Sequence, residues 1–120
     1  MSAVARGAGP AGPVVALGDD HLALEILPDV GARIHRLRRD GRDLIRTPSD
    51  VRRHLDDSWF WGSYPMAPWC NRVQPGRSTL AGHELDLPVN FRDGTSIHGQ
   101  VSQAAWQHVE DGTFRIRAGG

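Results

Sequence analysis

Short runs of apolar–polar alternation, cut at near-regular intervals by Gly- or Asp-bearing pairs, most restrict what this sequence can fold into. Leu22, Leu24 and Ile26 fall on one face of a strand, with His21, Ala23 and Glu25 on the other. Leu85 and Leu87 alternate with Glu84 and Asp86, and Phe114 and Ile116 with Thr113, Arg115 and Arg117. Period-two alternation marks a half-buried strand. The breaks fall at Gly18-Asp19-Asp20, Asp40-Gly41, Ala81-Gly82, Asp93-Gly94 and Asp111-Gly112. Gly and Asp tolerate the positive φ of tight hairpin turns, so each break is a turn with a physical cause. No window carries an apolar face at helical spacing over three turns, and Ser49 to Asp57 reads as a loop or a single helical turn. The expectation is an all-β protein, an antiparallel β-sandwich or barrel built from hairpins. Residues 1–12, small and without periodicity, read as a disordered lead-in to a domain over 13–120.

Composition excludes several function classes. The 120 residues carry 14 basic and 14 acidic side chains, so no basic surplus exists to hold nucleic acid or an anionic membrane. Every basic residue is Arg, which removes Schiff-base and P-loop lysine chemistry from the chain. Cys70 is the single cysteine, expected as a small buried apolar residue. It permits no internal disulfide and points to a reducing, cytoplasmic setting. No apolar run approaches the roughly 18 residues needed to cross a bilayer.

The six histidines, His21, His35, His54, His83, His98 and His108, show no metal-ligand spacing. No metal site is expected. There is no Gly-x-Ser-x-Gly elbow and no phosphate-cradling Gly-x-Gly at a strand–helix junction. What packing explains poorly is the block Trp59 to Val73, which holds five of the eight aromatic residues and ends in Asn71-Arg72. Rings beside planar polar groups suit a sugar, whose C–H face packs on an aromatic while Asn and Arg take its hydroxyls. A second block, Asn90 to Gly99, sets His98 after a tight turn and before a glycine. Imidazole there can move a proton near neutral pH.

Taken in order, Asn71-Arg72-Val73, Gly76-Arg77, Gly82, Leu87, Asn90, Ile97-His98-Gly99 and Trp106 resemble the aldose 1-epimerase (galactose mutarotase) family. Gly31-Ala32-Arg33-Ile34 and Asp43-Leu44-Ile45 are similar to that family's early strands, and the likeness runs from about Leu24 to Glu110. The resemblance implies the N-terminal part of a larger galactose-mutarotase-like supersandwich. It implies interconversion of the α and β anomers of a free aldose, without a cofactor. A carboxylate base would take the anomeric proton while a histidine acid protonates the ring oxygen. By the same resemblance Arg72 matches the sugar-binding arginine, and His98 the first of two active-site histidines. Asn71 would shape the loop that aims Arg72.

In longer family members the principal acid histidine and the glutamate base lie downstream of the His-Gly motif, beyond residue 120. The 120-residue piece is therefore expected to be inactive alone. Gln100 stands where many members have a second glycine, and no basic residue follows through Gln103. The expected partner is a small-molecule sugar, an aldohexose, with no nucleic acid, no membrane and an open oligomeric state. The alternative is a non-catalytic carbohydrate-binding or interaction module using the Trp59–Trp69 face.

Overall fold

The computed structural model describes residues 3–118. Its largest element is a five-stranded antiparallel meander: β1 (Val4–Gly9), β2 (Gly12–Gly18), β3 (Leu22–Leu27), β4 (Arg33–Arg39) and β5 (Arg42–Asp43). A single helical turn, α1 (Arg53–Asp56), follows. Three two-stranded ribbons complete the chain. β6 (Arg72–Val73) pairs with β9 (Ser96–Ile97), β7 (Gly76–Leu80) with β8 (His83–Leu87), and β10 (Gln107–Glu110) with β11 (Thr113–Arg115). The architecture is all-β, as the alternation predicts. No helix among the described residues is long and apolar enough to cross a membrane.

The turns form where the sequence placed them. Asp19 Oδ1 accepts from the backbone N–H groups of His21 (2.8 Å) and Leu22 (2.7 Å), closing the β2–β3 hairpin with its own side chain. Asp40-Gly41 joins β4 to β5, and Asp111-Gly112 joins β10 to β11. The lead-in expected through residue 12 is different. β1 pairs with β2 from Val4↔Ala16 to Gly9↔Gly12, and Ala11 is buried at the hairpin's end. Small, weakly patterned residues are held by the edge of an established strand, a non-local cause that local composition does not carry. Met1 and Ser2 lie outside the described residues.

Two apolar clusters hold the sheet. Val15, Leu17 and Ile26 pack together with Leu24, Ala32 and Phe114, and Ala11, Leu27 and Val30 pack with Val14 and Val51. A bulge between Glu25 and Ile26 shifts the register, so both Ile26 and Leu27 are buried and strict alternation ends there. Each buried Leu, Ile or Val contributes roughly 1.5–3 kcal/mol over an exposed one.

Backbone ties then place the aromatic segment. Ile34 N–H donates to the Ser63 carbonyl (2.8 Å), and Gln100 N–H to the Ala67 carbonyl (2.7 Å). The stretch between Ser63 and Ala67 is thus strung from the β4 edge to the end of β9. Gly99 sits at the second tie with φ +72, and a Cβ there would overlap the Ala67 backbone. This close approach admits only glycine.

Candidate functional site

The site grows from the β6–β9 ribbon, in which Arg72 stands opposite Ile97 and Val73 opposite Ser96. Asn90 fixes the ribbon from outside. Its Oδ1 accepts from Ile97 N–H (2.7 Å) while its Nδ2 donates to the Ile97 carbonyl (3.0 Å). Directly beyond, His98 N–H donates to the Asn71 carbonyl (3.0 Å). Asn71 and His98 both take positive φ, +60 and +62. Left-handed backbone in a non-glycine residue is uncommon and gathers where a side chain must be aimed.

Arg72 and His98 come together through a chain of rings. The Arg72 guanidinium lies over the Phe91 ring at 5.3 Å. Phe91 meets Trp59 edge-on at 5.5 Å, and Trp59 packs against the His98 imidazole at 5.4 Å. Tyr64 closes the other side of His98 at 6.0 Å. Arg72 remains exposed and His98 half-buried. Asn71, also exposed, accepts a bond from Arg72 Nη1 (3.3 Å).

Asp93 holds the guanidinium most tightly, accepting from Arg72 Nε at 2.6 Å. Its other oxygen accepts from the Thr95 hydroxyl (2.6 Å) and the Thr95 N–H (3.1 Å). The Thr95 hydroxyl first, and then Arg72, keep the Asp93 carboxyl below the usual carboxylate range. The His98 imidazole is pushed down by burial and, secondly, by the Arg72 charge. It is therefore neutral at pH 7, with one nitrogen donating and the other accepting. His98 Nδ1 is buried with no hydrogen-bond partner among the described residues.

A cleft of about 410 Å³ opens beside these rings, lined by Asp57, Trp59, Phe60, Phe91 and Arg92. Aromatic walls with a carboxylate and a guanidinium at the rim can stack an apolar ring face and exchange hydrogen bonds with hydroxyls. Among the described residues no three His, Cys, Asp or Glu side chains gather as a metal-binding set.

Sequence reasoning singled out Asn71, Arg72 and His98, and the structure brings all three into one neighbourhood. It missed Asp57, Phe91 and Arg92 as lining, and it read Asp93 only as a turn residue. The spacing Asp93-Gly94-Thr95 is a side-chain-closed turn signal, but no pattern ties it to Arg72 across the chain. Cys70 corrects the expectation of burial: it is exposed, because it precedes the left-handed turn at Asn71 on the surface side of β6.

The family model described as Aldose 1-epimerase matches residues 13–116. Among solved structures, an aldose 1-epimerase candidate from Escherichia coli K12 superposes with a TM-score of 0.62 at 26% identity, over 81% of this chain and 32% of its own. A galactose mutarotase-like protein from Clostridium acetobutylicum gives 0.60 at 20% identity, over 82% and 32%. Galactose 1-epimerase from Lactobacillus acidophilus NCFM gives 0.59 at 20%, over 88% and 32%. The latter two, at this identity, speak to the fold alone. The chain spans about a third of the length of these structures. No curated protein sequence matches it significantly.

Proposed function

The chain belongs to the aldose 1-epimerase family, and from that premise we propose that it carries the arginine and first-histidine portion of an aldose-binding site used to interconvert α and β anomers. The ligand in this reading is a free aldohexose, met in the cytoplasm. What supports the reading most is the joining of Arg72, Phe91, Trp59 and His98 into one continuous contact chain beside an aromatic cleft.

Each residue's part follows from its chemistry. Arg72 does not give up its proton, so it binds and orients hydroxyls. Asn71 shapes the turn from which Arg72 projects. His98, neutral in its half-buried setting, donates a hydrogen bond to the ring oxygen or its neighbouring hydroxyl. Ring opening also demands a base at the anomeric hydroxyl and a proton for the ring oxygen. No carboxylate forms an ion pair with His98 among the described residues. In this proposal the base and principal acid come from the remainder of the sandwich, which longer family members contain.

The test has two arms. Titrating galactose into the chain should shift the NMR signals of His98 and the Trp59 indole, and Arg72→Ala should weaken that binding roughly tenfold, the effect of one charged hydrogen-bonding group. Polarimetry on freshly dissolved α-galactose should show mutarotation at its uncatalysed rate when only this chain is added. Accelerated mutarotation would show that the catalytic pair is already present. Undisturbed His98 and Trp59 signals at saturating sugar would remove the binding reading. The second reading, a carbohydrate-binding module without catalysis, draws on the lack of a base beside His98. It gains ground if sugar binds and His98→Ala in a longer protein leaves turnover intact, where a catalytic role requires a fall of about 100-fold.

A further inference from the structure

Resting on the sugar reading above, we propose that Asp93 is the positioning and specificity-determining residue of this site. It anchors Arg72 by Nε and cancels its charge, so that the site takes neutral sugars and turns away anionic ones. The geometry is that of a braced clamp. Asp93 Oδ2 holds Arg72 Nε at 2.6 Å, while Oδ1 is itself fixed by the hydroxyl and N–H of Thr95. The Phe91 ring lies against the guanidinium, so the group is held at one edge and on one face. Bonding through Nε leaves the Nη groups, of which Nη1 reaches Asn71 Oδ1, as the donors still able to meet a ligand. A free arginine side chain sacrifices considerable rotamer freedom when it binds a ligand; one anchored beforehand sacrifices less.

Charge decides the ligand class. An exposed arginine with no partner attracts phosphates and carboxylates. Here the two guanidiniums against Phe91, Arg72 and Arg92, face two carboxylates, Asp93 on Arg72 and Asp57 in the cleft wall. The balance around Phe91 is neutral, and Arg46, whose guanidinium lies over the Phe60 ring, adds a positive charge on that side of the cleft. A sugar phosphate or uronic acid would meet Asp57 and Asp93 as repulsive neighbours and would find the Arg72 charge already paired. A neutral aldose needs only donors and acceptors, which both ion partners supply.

The variant Asp93→Asn isolates this role. It retains a carbonyl oxygen for Thr95, so the turn can persist, and removes the charge and the Arg72 Nε anchor. With the full chain, affinities for galactose and galactose 6-phosphate should move in opposite directions. Galactose should weaken by about tenfold and the phosphate tighten, a change in preference of at least that size. Asp93→Glu should restore the preference for galactose in part. Parallel weakening of both sugars, or no change in either, would overturn the proposal while leaving the sugar site itself standing. Should the wild-type chain bind neither sugar, the functional reading above fails instead, and the specificity half of the proposal with it. The Arg72 Nε–H resonance then judges the clamp alone: slowly exchanging in wild type and Asp93→Glu but not in Asp93→Asn upholds it, and no difference refutes it.

Discussion

Replacing Arg33 with methionine should destabilise the protein by several kcal/mol, because it strips the donors from a set of buried backbone carbonyls. Arg33 is fully buried and has no carboxylate partner among the described residues. Its guanidinium donates only to backbone carbonyls: Nε to Val30 (2.8 Å), Nη1 to Ser58 (2.9 Å) and Trp61 (3.3 Å), and Nη2 to Ser102 (3.0 Å). The ring of Tyr64 lies 4.8 Å from its centre. One side chain thus fastens β4 to the aromatic segment and to the loop after β9. Methionine matches much of the volume but strands those carbonyls without donors, each at about 1–3 kcal/mol before relaxation. Arg33→Lys should recover only part of the loss, since an ammonium cannot reproduce the planar fork. Urea unfolding followed by tryptophan fluorescence measures both variants. A methionine variant within 1 kcal/mol of wild type would mean that the carbonyls find water without help.

Acid should unfold the chain well above the carboxylate range. His35 and His54 are buried and share a hydrogen bond, His35 Nδ1 to His54 Nε2 at 3.0 Å. One imidazole must donate and the other accept, so a second proton sets two N–H groups against each other. Burial first, then His35 and Arg33, pushes His54 down to about 4. Burial lowers His35 as well, against an opposing pull from Glu25. In the unfolded chain both titrate near the ordinary histidine value of about 6.5. The folded state therefore binds fewer protons. Its stability from this pair is complete above about pH 6.5 and is lost as pH falls toward 4, by on the order of 3 kcal/mol for His54. Unfolding midpoints taken from pH 7 to pH 4 should decline steadily in wild type and much less in His54→Gln. Equal slopes in the two proteins would assign the acid sensitivity elsewhere.

Much of the frame was legible because its causes are local. Asp19 closes the β2–β3 turn with its own carboxylate, and the alternation around Leu85 and Leu87 matches the burial of β8. The candidate site residues Asn71, Arg72 and His98 were legible through an ordered set of motifs. What escaped reading depends on partners distant in sequence. Nothing near Arg33 announces that four carbonyls from three segments will surround it, and an arginine in an alternating strand reads as solvated. His54, on a charged helical turn, is buried only because His35 of β4 and Gly62 come to meet it. Asp93 looked complete as a turn residue until β6 and β9 paired and set Arg72 beside it.

The left-handed residues beside the β6–β9 ribbon, and one in the β7–β8 turn, carry an evolutionary consequence. Asn71, Ala81 and His98 each hold a backbone shape that glycine adopts more easily, at a cost of order 1 kcal/mol apiece. A library screened for heat resistance alone, with no demand on chemistry, would therefore enrich glycine at position 71 as readily as at 81. The population would grow hardier while the turn that aims the guanidinium slackened. Persistence of asparagine at 71 in descendants under such pressure would mark selection acting on recognition rather than on endurance.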